Sequence, residues 1–156
     1  MKLQDLTIKE FLEKTASGAA VPGGGSSSAL NGAIASALTS MVAHLTIGKK
    51  SHGAVESRMK EIVQVMEEKR AFFVNNIDRD AEAYSLVMEA YKLPKETSEQ
   101  KAFRSEQIKD AMKEASLVPM EVAEQALAMM DIIIETVQKG NRNAVTDGMV
   151  GLMACR

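Results

Sequence analysis

Two kinds of residue in this 156-residue chain have the chemistry and spacing to form a site: a glycine run at a helix start, and carboxylates at the margin of an apolar stripe. Val21-Pro22-Gly23-Gly24-Gly25-Ser26-Ser27-Ser28 runs straight into the small-residue segment Ala29–Leu38. Consecutive glycines admit backbone angles closed to other residues and remove the side chains that would hold a ligand away from the main chain. The serines behind them can cap a helix whose first N–H groups lack partners. Such a helix start attracts anions and polar oxygens, so residues 22–26 are candidate ligand contacts. A plain helix-start loop explains the same glycines. The run lacks the Lys-Ser/Thr ending of a P-loop and the preceding strand of a dinucleotide fingerprint, which argues against a nucleotide.

Asp78 and Asp80 flank Ile77 and Ala81, and at about 100° per residue Asp80 falls about 60° from Ile77, at the edge of the apolar face. From there its carboxylate can point into a cleft, or it can be solvated or paired with a cation such as the adjacent Arg79. Asp147 follows a helix restart at Asn141-Arg142-Asn143, where the helix dipole alone accounts for a first-turn carboxylate. Lys49 and Lys50, just past Gly48, either complement a helix C-terminus or dock an acidic ligand tail. His44 reads as a core histidine. The two histidines and the single cysteine make no ligand cluster, so no metal is expected. Cys155 cannot form an intrachain disulfide, and it suits a reducing cytoplasm better than a catalytic role.

The elements that must position these groups are helical. Strand alternation and hairpin dipeptides are missing, whereas spacings of three and four recur along the chain. Thr7-x-x-Glu10 opens a short helix with Ile8, Phe11 and Leu12 on one face, ended by Gly18. Leu30, Ile34, Leu38, Met41 and Leu45 define a second helix, stopped by Gly48. A long third helix runs from about Ala54 to Tyr91 and breaks at Leu93-Pro94. Thr97 or Ser98 caps a further pattern that Pro119 interrupts or kinks before it continues to Gly140, and a last helix holds Val145, Met149 and Leu152. These elements predict an all-α, single-domain antiparallel bundle. The 11 methionines read mostly as core filler. The Ala-, Gly- and Ser-rich second helix is expected in the middle of the bundle or across a dimer axis.

Composition narrows the functions. Nineteen Lys and Arg against 21 Asp and Glu leave no broad basic surface, and aromatic residues make up only 4% with no Trp, so nucleic acid is not an expected partner. No apolar core follows Met1-Lys2-Leu3, so no secretory signal is expected. The mostly apolar segment Ala29–Ile47 is interrupted by Asn31, Ser36, Thr39, Ser40 and His44, which fits a buried core helix better than a membrane span.

Taken in order, Phe11-Leu12, Val21-Pro22-Gly23-Gly24-Gly25-Ser26, Met41-Val42-Ala43, Gly48-Lys49-Lys50, Asp80-Ala81-Glu82-Ala83-Tyr84, Tyr91-Lys92-Leu93-Pro94-Lys95, Val118-Pro119 and Gly140-Asn141-Arg142-Asn143 with Asp147 closely resemble the cyclodeaminase/cyclohydrolase family, across essentially the whole chain. This is the domain that forms the C-terminal half of formiminotransferase-cyclodeaminase and also stands alone in bacteria. The resemblance implies an all-α homodimer acting on tetrahydrofolate derivatives, without metal or nucleotide. The implied reaction is conversion of 5-formiminotetrahydrofolate to 5,10-methenyltetrahydrofolate with loss of ammonia, or the methenyltetrahydrofolate cyclohydrolase reaction. A catalytically silent folate-binding or dimerisation module is the alternative of another class.

The matching positions make Asp80, with Asp147 second, the acid/base or cation-stabilising carboxylate. They place Pro22 to Ser26 against the pterin or its attached groups, Asn141 and Asn143 at the pterin edge, and Lys49 and Lys50 at the glutamate tail of a folate, polyglutamylated or not. A separate formiminotransferase or folate dehydrogenase is the implied partner enzyme. Family domains usually continue several tens of residues past the position of Arg156, so the resemblance implies that the C-terminal part of the family domain is missing from residues 1–156.

Overall fold

The computed structural model describes residues 2–156. Among these, five α-helices and three short 3-10 turns form the structure, with no strand: α1 (Ile8–Thr15), α2 (Gly24–His44), α3 (Glu56–Tyr91), α4 (Ser98–Lys139) and α5 (Val145–Cys155). The 3-10 turns cover Leu3–Asp5, Lys50–Val55 and Arg142–Ala144. The chain is all-α, as its spacings predict. It forms two compact units, residues 1–28 with 75–121 and residues 29–74 with 122–156.

In the first unit the local signals act as expected. The Thr7 side chain accepts from the Glu10 N–H at 3.2 Å while the Glu10 carboxylate accepts from the Thr7 N–H at 2.8 Å, a complete capping box. Only Phe11 of the expected apolar face of α1 is buried; Ile8 and Leu12 are exposed. Asp78 is buried and structural: its carboxylate accepts from the N–H groups of Leu3 at 2.5 Å and Gln4 at 3.3 Å, holding the first turn of the chain. α3 ends at Tyr91 before Pro94, and Thr97 caps α4 by accepting from the Gln100 N–H at 3.2 Å. Pro119 does not interrupt α4, which continues from Ser98 to Lys139; a proline removes one ladder bond, here to Ala115, and the turns on either side carry the helix through.

In the second unit the core gathers Val42, Met59, Ile62, Met66, Phe73, Met129 and Ile133, all fully buried. The α2 segment is turned so that Ala29, Ala33, Ser36, Ser40 and Ala43 face this core, while Ile34, Met41 and Leu45 are 42%, 37% and 44% exposed. Its small residues are what bring neighbours close. A Cβ on Gly32 would lie 2.5 Å from the Phe73 ring, and one on Gly151 would lie 3.4 Å from the Ala35 carbonyl oxygen. The expectation that methionine mainly fills the core is corrected: Met59, Met66 and Met129 do so, but Met41, Met88, Met112, Met120, Met149 and Met153 are exposed. His44 is likewise exposed at the end of α2 rather than buried.

Candidate functional site

The first unit holds a cleft of about 310 Å³ lined by Ala20, Val21, Gly23, Gly24, Gly25, Asp80, Tyr84 and Ala115. Gly24 and Gly25 bring the start of α2 into its lining. The glycines expected as a loop are largely helix: Gly24 and Gly25 already belong to the first turn, and none of Gly23, Gly24 and Gly25 has a positive φ. Glycine is required here for space rather than for backbone angles. A Cβ on Gly25 would sit 1.9 Å from Asp80 Oδ1, whereas Cβ atoms on Gly23 and Gly24 would meet nothing within 4 Å.

The serines do not cap α2; a carboxylate from α3 does. Asp80 Oδ2 accepts from the Ser26 N–H at 2.8 Å and from the Ser26 hydroxyl at 3.0 Å, and that hydroxyl also lies 2.9 Å from the Ile77 carbonyl oxygen. Two donors and the positive end of the helix thus hold one oxygen of Asp80. Oδ1 has no hydrogen-bond partner among the described residues and lies against Gly25 in the cleft. Arg79, the neighbouring cation, does not compensate Asp80 but pairs with Glu121, which holds its guanidinium above and the Glu121 carboxyl below their ordinary pKa ranges through hydrogen bonds. Tyr84, one turn beyond Asp80 on α3, adds an aromatic wall that is 43% exposed. Its i+4 spacing from Asp80 is the signal that marks it in the sequence.

The second unit has its own cleft of about 490 Å³, lined by Lys49, Ser51, His52, Asn141, Arg142 and Asn143. Lys49, Asn141 and Asn143 are therefore brought together, whereas Lys50 and Asp147 do not line this cleft. Asn141 is buried and engaged at its backbone and at both ends of its side-chain amide: its N–H donates to Thr46 Oγ1 at 2.9 Å, its Nδ2 donates to the Leu45 carbonyl at 3.2 Å, and its Oδ1 accepts from the Asn143 N–H at 3.1 Å. Its amide shapes the loop and leaves the Asn143 side chain facing outward. Asp147 sits half-buried in the first turn of α5 with no hydrogen-bond partner among the described residues. Ser51, His52 and Arg142 were not expected at a site; only their proximity in sequence to Lys49 and Asn143 pointed to them. Among the described residues no group of three or more His, Cys, Asp and Glu side chains converges as a metal site would.

Residues 7–156 match the family model described as formiminotransferase-cyclodeaminase. The chain is 40% identical over 148 residues to the methenyltetrahydrofolate cyclohydrolase of Methylorubrum extorquens, covering 95% of this chain and 71% of that protein. It is 30% identical over 152 residues to the formimidoyltransferase-cyclodeaminase of Mus musculus, spanning 97% of this chain but 28% of that longer protein. The crystal structure of formiminotetrahydrofolate cyclodeaminase from Thermotoga maritima superposes with a TM-score of 0.85 at 32% identity, covering 99% of this chain and 73% of that one.

Proposed function

Because the chain belongs to the formiminotransferase-cyclodeaminase family, we propose that it acts in folate one-carbon metabolism as a formiminotetrahydrofolate cyclodeaminase, with residues 1–156 forming a cyclodeaminase/cyclohydrolase-like helical domain. The observation that carries the chemistry is the Asp80 carboxylate, fixed through Oδ2 by Ser26 and open at Oδ1 in the cleft. In the proposed reaction N10 attacks the formimino carbon of 5-formiminotetrahydrofolate to give a tetrahedral carbon between N5 and N10. The N10 proton and one further proton reach the departing nitrogen, ammonia leaves, and the 5,10-methenyl cation remains. A carboxylate fixed at this carbon relays the proton and then faces the cation it stabilises.

A second reading, methenyltetrahydrofolate cyclohydrolase, is favoured by the 40% identity to the relative of that name. There, water adds to the methenyl carbon, the ring opens to 10-formyltetrahydrofolate and one proton is released, so the same carboxylate serves as base. In either reaction Pro22 to Ser26 contact the pterin or its attached groups, Asp147 is the second candidate carboxylate, Asn143 meets the pterin edge with Asn141 positioning it, and Lys49 and Lys50 meet the glutamate tail. A homodimer is supported by the outward Ile34 and Met41 of α2 and by the exposed Met149, Val150 and Met153 of α5. No helix among the described residues is long and apolar enough to cross a membrane, and a cytoplasmic location fits a folate enzyme with one free cysteine.

The test follows the absorbance of 5,10-methenyltetrahydrofolate with purified protein beside 5-formiminotetrahydrofolate with ammonia detection. Ammonia release with methenyl formation supports cyclodeamination, and loss of the methenyl signal without ammonia chemistry supports the cyclohydrolase. Neither reaction from folded protein overturns the enzyme reading and leaves a silent folate-binding or dimerisation module.

A further inference from the structure

The two tyrosines of the chain both lie on α3, and the structure uses them differently. Tyr91 is occupied: the Arg104 guanidinium lies 5.4 Å from its ring centroid and donates to its carbonyl oxygen. The Tyr84 side chain has no hydrogen-bond, ring or cation partner among the described residues, and it lines the first-unit cleft half-exposed. An aromatic ring carries negative charge on its faces, so an unoccupied ring in a cleft attracts cations.

The charge of this cleft is one-sided. Asp80 is the only charged residue in its lining, with no Lys, Arg or His beside it. Arg79 is spent on Glu121, and Lys2 and Lys14 line a separate hollow in company with Asp78 and Glu82. The groups that hold Asp80 Oδ2, the Ser26 N–H and hydroxyl, are neutral, so they orient the carboxylate without cancelling its charge. Tyr84 follows Asp80 by one turn, about 6 Å along the helix axis, so a single flat cation can lie against the ring and meet Oδ1 at its edge. The rest of the lining is glycine, alanine and valine, which neither compete for that charge nor crowd it.

We infer that Tyr84 is a specificity-determining residue: with Asp80 it makes the first-unit cleft select a planar, delocalised cation over a neutral group of the same shape. For its natural ligand the inference rests on the folate reading, in which the selected states are the amidinium form of the formimino group and the methenyl bridge, and the rejected state is the neutral formyl group. A formyl group offers neither a positive charge to Oδ1 nor one to the ring face, whereas the two cations offer both. A delocalised cation also sheds water more readily than a compact ammonium, which suits an aromatic wall.

The test is titration of the full chain with benzamidinium and with its neutral isostere benzamide, followed through the NMR shifts of the Gly23, Gly24 and Gly25 amides. Benzamidinium should bind about tenfold tighter than benzamide, and the preference should shrink as salt rises. Tyr84→Leu keeps apolar bulk on a half-exposed helix position but removes the ring, and it should cut the preference about fivefold while benzamide affinity stays within about twofold. Tyr84→Phe should retain the preference, and Glu114→Gln, in a separate hollow of the same unit, should leave both affinities unchanged. No binding of benzamidinium, equal affinity for the two ligands, a preference unchanged in Tyr84→Leu or lost in Tyr84→Phe, or shifts that bypass Gly23–Gly25 overturns the inference. Neither probe is a folate. Selectivity without turnover therefore removes the folate reading alone, and turnover without selectivity removes the role of Tyr84 alone.

Discussion

Asp80 and Ser26 are joined twice, backbone N–H and side-chain hydroxyl both donating to Oδ2, so that a residue of α3 closes the open end of α2 while its second oxygen remains unpartnered. Asp80→Asn keeps an acceptor for the Ser26 N–H but cannot relay a proton. It should fold with little change in melting temperature and lose about a hundredfold or more in kcat. Full turnover in a folded Asp80→Asn protein, and also in Asp147→Asn, would remove the carboxylate from the mechanism.

Gly25 and Gly24 separate steric need from helix propensity. A Cβ on Gly25 would lie 1.9 Å from Asp80 Oδ1, whereas one on Gly24 would meet nothing within 4 Å. Gly25→Ala should displace the carboxylate and lower turnover about tenfold or more, while Gly24→Ala should match or slightly exceed the parent in melting temperature. Equal turnover in parent and Gly25→Ala proteins contradicts the placement of Oδ1 at the reacting carbon.

Gly32 packs under Phe73, where a Cβ would come within 2.5 Å of the ring. Because Phe73 is fully buried, the ring has nowhere to retreat, and Gly32→Ala should destabilise by about 1–3 kcal/mol in chemical denaturation. Gly53→Ala, with nothing within 4 Å, is the control and should be near neutral.

Glu135 accepts from Arg58 Nη2 at 2.8 Å and from Lys139 at 3.0 Å, and these hydrogen bonds, Arg58 first, lower its carboxyl to a pKa of about 2. A carboxyl depressed in the folded state stabilises above its unfolded pKa, and that contribution is lost as pH falls through the folded value. Glu135→Gln should therefore cost about 1 kcal/mol at pH 7, after allowance for solvent screening of the half-exposed Arg58. The difference from the parent should close between about pH 4.5 and pH 2 in thermal melts.

Ile34 and Met41, one face of α2 seven residues apart, are exposed together with Met149 of α5. If this face is the dimer contact, Met41→Glu and Met149→Glu should yield monomers in sedimentation experiments without loss of helix signal. An unchanged sedimentation coefficient would place the dimer contact elsewhere.

The capping box at Thr7, the break before Pro94, the extents of α1 and α3 and the absence of strands among the described residues were all legible in the sequence, because each depends on neighbours within about four residues. Motif order likewise carried family membership. The sequence alone left open which face of α2 is buried: Leu30, Ile34 and Leu38 mark one apolar stripe and Ala29, Ala33 and Ser36 an adjoining small one, and only contact with Phe73 and neighbouring helices selects the small one. The passage of α4 through Pro119, the engagement of Asn141 and the convergence of Lys49, His52 and Arg142 were equally hidden. Most decisively, the division of labour between Asp78 and Asp80 was tertiary. Both are aspartates beside one apolar stripe, but Asp78 is spent on the backbone of Leu3 and Gln4, while Asp80 meets the start of α2 with one oxygen and keeps the other for the cleft, a difference set by partners more than 50 residues away in the chain.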